Sequence, residues 1–332
     1  MTRPQFLFTH AYVFVLCLCL LSCKRIPLYD PQSDVLLQLD LQLNTEVTLN
    51  DDIDLEGRPE LSRKVYGTLP QTVRVCFYDR QTHALVAEEF LPPQGGFVDV
   101  AAGTYDLLVY SLGNEATRVE GTEVRAGGRA FTSSVGQTLK VTKGGSTKAM
   151  DFPVIYEPDH LFVGRKEAVR IPVHADIDRT VVIEMPMRTL LETYSFEVRN
   201  IQGVENIASA DVYITGQASS KYLWDGRYPL TPCAIYFPAV LNVDKGHIYT
   251  VFNTFGKIAG AESDVLLNVI VGTTSGGRYQ WIFDVTEQFD NPDNTRHEIV
   301  IDEPVVIPED GSGGGFSAEV HPWESEIIPI EL

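Results

Sequence analysis

Short segments in which apolar and polar residues alternate run the length of this chain, and they constrain its fold more than any other feature. Over 35–43, Val35, Leu37, Leu39, Leu41 and Leu43 share one face, with Gln38, Asp40 and Gln42 on the other. Period two marks a half-buried strand, because successive side chains of an extended chain point to opposite faces. The same alternation recurs at 73–77; 84–90 and 98–100 read as further strands, 105–112 as a largely buried one, and 117–124, 137–141 and 150–156 as weaker ones. The series continues at 169–175, 180–185, 194–198, 210–214, 248–255, 265–273, 279–285 and 298–301, with Gly, Pro, Asn and Asp between the runs. Residues 286–289 suit one helical turn; before 156 no helix longer than two turns is expected, and 44–69 reads as a long acidic loop. Strands at such short intervals predict an all-β chain of antiparallel sandwiches. Two such stretches predict tandem β-sandwich domains over 35–156 and 157–309, hinged at 156–166.

The ends read differently. Arg3 precedes an unbroken apolar run over 11–21, AYVFVLCLCLL, which is too short to span about 30 Å of hydrocarbon as a helix. Leu20-Leu21-Ser22-Cys23 follows and resembles the bacterial lipobox, with cleavage before a cysteine that becomes acylated. The expectation is a lipoprotein signal peptide over 1–22, lipidation with palmitate at Cys23, and a Pro-containing tether over 23–34. Several acyl chains at about 0.8 kcal/mol per buried CH₂ form a durable membrane anchor. At the other end, Gly311-Ser-Gly-Gly-Gly315 is a flexible linker. Within 310–332, the alternation of Ile328, Ile330 and Leu332 suits a last strand docked on the chain's own sheet.

Charge and motif narrow the function. A net charge of −19 without a cluster of Lys and Arg argues against nucleic acid. No H-E-x-x-H, G-x-S-x-G, G-x-G-x-x-G or Walker A frame occurs, and the seven His are scattered, so neither an enzyme nor a metal or cofactor site is expected. Asp52, Asp54, Glu56 and Gly57 imitate the start of a calcium loop, but Arg63 stands where its closing Glu belongs, and a solvated acidic loop is the reading. Asp159–His160 reads as a structural pair. Cys76 and Cys233, the two thiols outside the first 23 residues, read as small buried apolar groups. Tyr222, Trp224 and Tyr228 could stack on a sugar ring, or fold onto the sandwich edge.

Several phrases occur together: Cys23-Lys24-Arg25, Leu28-Tyr29-Asp30, Val73-Arg-Val-Cys-Phe-Tyr-Asp79, Gly103-Thr-Tyr-Asp-Leu-Leu-Val-Tyr110 and Gly314-Gly315-Phe316. With them the chain resembles Bacteroidales lipoproteins of the fimbrillin and fimbrial-anchor (FimB-type) group. The resemblance implies two transthyretin-like sandwiches behind a lipidated N-terminus, an outer-membrane, cell-surface location, and an anchor, cap or accessory role in fimbrial assembly or adhesion. The partners it implies are fimbrial subunits or other surface proteins, met by β-strand addition. It carries over one functional residue, Cys23. Main fimbrillins of the group are matured at arginine, and Arg58, Arg63 and Lys64 are the trypsin-like positions in the first long loop. The second reading is a glycan-binding surface lipoprotein.

Overall fold

The computed structural model describes residues 32–42, 58–142, 149–172, 181–258 and 264–307. In chain order they form β1 (Gln32–Gln42), α1 (Pro59–Tyr66), β2 (Thr72–Asp79), β3 (Leu85–Leu91), β4 (Gly95–Ala101), β5 (Gly103–Leu112), β6 (Arg118–Glu120) and β7 (Arg129–Phe131). Next come β8 (Ser134–Thr142), β9 (Ala149–Tyr156), β10 (Phe162–Ile171), β11 (Val181–Thr189), β12 (Glu192–Val198), β13 (Ile201–Gln202), β14 (Ile207–Ala218) and β15 (Ser220–Tyr222). The last are β16 (Pro232–Pro238), β17 (Val240–Asn242), β18 (His247–Thr254), β19 (Leu266–Thr273), β20 (Arg278–Asp284), α2 (Thr286–Asp290), β21 (Glu298–Ile301) and β22 (Val305–Val306). The all-β expectation holds.

The first sandwich is one seven-stranded sheet, ordered β3-β2-β5-β10-β11-β1-β4, that folds over on itself. Only two register pairs, Phe162↔Thr189 and Val163↔Arg188, join β10 to β11. The four strands on one side of that joint therefore face the three on the other. Val75, Phe77, Leu107 and Val109 meet Val35, Leu37, Met185 and Met187 in the shared core. The alternation over β1 is what places Val35 and Leu37 there, and each such burial stabilises by roughly 1.5–3 kcal/mol.

The second sandwich packs a six-stranded sheet, β20-β19-β14-β16-β9-β8, on a four-stranded one, β17-β18-β12-β21. Phe196, Phe237, Phe252, Val212 and Val269 fill the space between them. Most pairings are antiparallel as expected. Four are parallel: β1 with β11, β9 with β16, β12 with β21, and β13 with β22.

These pairings correct the expected division at 156. β8 and β9 precede that position yet belong to the second sandwich, and β10 and β11 follow it yet complete the first. The chain leaves the first sandwich, returns, and leaves again, so the sandwiches are interleaved. A period-two pattern reports which face of a strand is buried; it does not report which strand lies beside it.

A third core joins the two. Cys76 and Tyr78 of β2, and Leu108 and Tyr110 of β5, point away from the first core and pack with Ala130, Leu161, Leu190, Leu191, Leu223 and Phe255. Burial on both faces explains why 105–112, in β5, reads as a largely buried strand. A further correction concerns the expected loop at 44–69. Pro59 opens α1, and Leu61 and Val65 at i, i+4 press it against Tyr249 and Val251 on the outside of β18. That helix, contributed between two strands of the first sandwich, straps the second.

Candidate interaction surface

The segment between β9 and β10, read as a hinge, is a satisfied buried knot. The Glu157 carboxylate accepts hydrogen bonds from Lys64 Nζ at 2.6 Å and from the Asn253 backbone N–H at 2.9 Å. Burial pushes the Glu157 carboxyl up, against the pull of Lys64. His160 Nε2 donates to the Lys64 carbonyl at 2.7 Å, which leaves Nδ1 to accept from the Thr189 hydroxyl at 2.7 Å. Burial holds its imidazole below the usual range. Asp159 accepts from the Glu115 and Thr117 amides at 2.7 and 2.6 Å. The Asp159–His160 pair is thus structural, as read from the sequence. Gly67, at φ +75°, ends α1 where a Cβ would lie 3.0 Å from the His160 Cβ, so only glycine suits both the turn and the approach. Beside the knot an open groove of about 700 Å³ runs between α1 and the end of β5.

β3 and β4 are the edges of the first sandwich. The Leu85 amide of β3 also donates to the Glu123 carbonyl at 2.9 Å, beside a bridge between Ala84 and Val124, whereas among the described residues β4 pairs with β1 alone. The two edges are consecutive in the chain, joined by a turn in which the Gly95 amide donates to the Pro92 carbonyl at 2.9 Å. Gly95 stands at φ +93°, and a Cβ there would meet the Leu37 carbonyl oxygen at 1.9 Å. β3 carries Glu88 and Glu89, charges that discourage edge pairing. β4 presents Phe97, 64% exposed. Phe97 lies in register with Leu36 on β1, and Leu36 with Val182 on β11, which is 52% exposed. An apolar row thus crosses three strands and ends at a main-chain edge that no described residue pairs, the arrangement that accepts an added strand.

The residues singled out from sequence fare unevenly. Cys23, the acidic run at 52–57 and the C-terminal segment lie outside the described residues. Tyr222, Trp224 and Tyr228 do share one loop, but their faces meet the chain's own cations: Arg227 lies 4.5 Å from the Tyr222 ring, Arg125 4.7 Å from Trp224, and Lys221 5.1 Å from Tyr228. Trp224 and Tyr228 also pack against the joining core. Cys76 and Cys233 are buried free thiols in different cores, raised by burial to about 11 and about 12. Among the described residues, no group of three His, Cys, Asp or Glu could hold a metal ion. Arg58, Arg63 and Lys64 sit at the start and last turn of α1.

Residues 63–237 match the family described as Domain of unknown function (DUF5119). The chain belongs to this family. A Bacteroides ovatus protein named as a candidate fimbrium anchoring subunit, Fim4B, is 24% identical over 264 residues, covering 79% of this chain and 74% of its own length. The crystal structure of a candidate adhesin from Bacteroides ovatus superposes with a TM-score of 0.56 at 21% identity, over 85% of this chain and 98% of that one, so this DUF5119 member shares its fold. The fimbrial anchor protein Mfa2 of Porphyromonas gingivalis aligns at 14% identity over 82% of this chain and 90% of its own, with a TM-score of 0.45.

Proposed function

We propose that this chain is a non-enzymatic surface lipoprotein that anchors, caps or serves as an accessory subunit of a fimbria. The observation that carries the reading is the β4 edge, unpaired among the described residues, with its apolar row of Phe97, Leu36 and Val182. Main-chain groups along β4 would bind an extended segment of a neighbouring subunit, and the row would receive its alternate side chains. The name of the Bacteroides ovatus relative, a fimbrium anchoring subunit, supports the same role. Lipidation at Cys23 would hold the protein to the outer membrane. Only eight residues separate that cysteine from Gln32, the start of β1, so the row would stand close to the anchor point.

Co-purification from crosslinked outer membranes tests the reading. Wild type should bring down fimbrial subunits. Cys23→Ala should lose palmitate labelling and the membrane fraction, and Phe97→Lys should lose the subunits while staying in the membrane. Unchanged recovery of subunits with Phe97→Lys would refute the β4 site.

A further inference from the structure

The outer face of the six-stranded sheet lies on the other sandwich from β4, and what it carries is independent of the fimbrial reading. Tyr156 on β9 is in register with Tyr236 on β16, and Tyr236 with Tyr213 on β14. The row continues through Asn268 on β19 to Ile282 on β20. The neighbours Ile155, Ile235, Val212 and Val269 belong to the core between the sheets, so the period of two turns this row outward. Five strands at about 4.8 Å spacing make it about 19 Å long. The Tyr236 ring centroid lies 5.2 Å from that of Tyr213 and 6.4 Å from that of Tyr156. Tyr213 and Tyr236 are half-buried on a bed of Val154, Ala234 and Leu266, and Tyr156 is 46% exposed.

Polar groups flank the rings on the same face. Asp211 on β14 and Gln280 on β20 form the next row, each in register with Ile270 between them. The Tyr236 hydroxyl donates to Asp211 Oδ1 at 2.8 Å. Burial first, then Asp211, push that hydroxyl up to about 12, so it stays protonated and the carboxylate keeps lone pairs for other donors. Gln280 Nε2 donates to Asn268 Oδ1 at 3.0 Å, which leaves Gln280 Oε1 to accept. Asn268 Nδ2 is buried and has no partner among the described residues. A buried donor without an acceptor is costly, and a ligand oxygen would answer it.

A sugar ring offers apolar C–H groups on its faces and hydroxyls around its rim. Aromatic rings with a few acceptors and donors beside them complement both. We infer that this face binds a neutral glycan chain, its rings resting on Tyr156, Tyr236 and Tyr213 and its hydroxyls meeting Asp211, Gln280 and the Asn268 amide. The length of the row suits several linked rings better than one. Asp211 and the net charge of −19 set the face against uronates and sulfated sugars. The aromatics that suggested sugar binding from sequence, Tyr222, Trp224 and Tyr228, are covered by the chain's own cations, and the structure moves the recognition to a different set of tyrosines.

A printed array of neutral and acidic glycans, probed with the folded chain and followed by calorimetric titration of the best-bound oligosaccharide, tests this. Neutral glycans should be captured and acidic ones should not. The affinity should rise from monosaccharide to trisaccharide and should not fall as salt is raised. Tyr156→Ala, at an exposed side chain, should weaken it about tenfold or more, and Tyr156→Phe should keep most of it. Phe97→Lys should leave it unchanged, which separates this face from the β4 edge. No neutral glycan captured, capture that Tyr156→Ala leaves intact, or a preference for acidic glycans would overturn it. So would a wild-type dimer that Tyr156→Ala dissolves, because the face would then belong to a second copy of the chain.

Discussion

The knot at 157–161 and the edge at β4 treat polar groups in opposite ways. At the knot, Glu157, Asp159 and His160 place their side chains against partners from α1, β18, β11 and the stretch after β5. At β4, among the described residues, the main chain pairs on its inner side only, beside an exposed Phe97. Buried polar groups are costly unless satisfied, and satisfying them from several elements at once fixes how those elements sit. The knot thus fixes the junction, while among the described residues β4 keeps one row of main-chain groups unpaired.

The largest effect expected on that contrast is from Glu157→Ala, which leaves the Lys64 ammonium half-enclosed and the Asn253 amide without its acceptor. Removing one partner of a buried pair costs about 3 kcal/mol or more, so thermal melting should shift down by many degrees. A loss under 1 kcal/mol would show that the knot is solvated and the junction loose.

Next in size is the response to acid. The folded structure depresses the His160 imidazole, so its contribution to stability is complete above about pH 6.5 and is lost as pH falls toward the folded value. Glu157, raised by burial, has the opposite sign, with its change beginning near the ordinary carboxylate range, about 4.3. The two groups oppose one another, and His160→Gln isolates the histidine's share: it should be less stable at pH 7.5 by about 1–3 kcal/mol, and its stability should fall less than that of wild type between pH 7.5 and 5.5. An unchanged slope would assign the acid response to other groups.

The junction should also resist proteases. Cleavage within 157–166 should be slower than in loops that few contacts protect, because Leu161 is buried and the Leu190 amide donates to its carbonyl at 2.8 Å. Early cuts there would restore the hinge. The smallest effect on stability is expected from Phe97→Lys, within about 0.5 kcal/mol, since the ring is in solvent in the isolated protein. A large destabilisation would mean that Phe97 packs within its own chain.

Much of this was legible in the sequence. The alternation of Val35, Leu37 and Leu39 predicted β1 and its buried face, the alternation at 73–77 predicted β2, and the largely apolar stretch at 105–112 predicted β5. α1 was missed although Pro59, Leu61 and Val65 carry a helix start and an i, i+4 pair; the surrounding acidic residues masked a signal only eight residues long. β16, bounded by Pro232 and Pro238, was missed because proline at both ends reads as a turn. The interleaving of the sandwiches was beyond reach, because partner choice is set by long-range packing. For the same reason the sequence could place Tyr222, Trp224 and Tyr228 near one another but could not show Arg227, Arg125 and Lys221 over their rings.

The central claim is that β4 receives a strand from a fimbrial neighbour. A photo-activatable phenylalanine analogue at position 97, in cells making fimbriae, tests it most directly, with the same analogue at Leu230, 90% exposed and far from the row in sequence, as the control. A crosslink to one fimbrial subunit should form from position 97 and none from 230. Equal labelling from both positions, or no subunit captured from 97 while fimbriae remain attached, would contradict it.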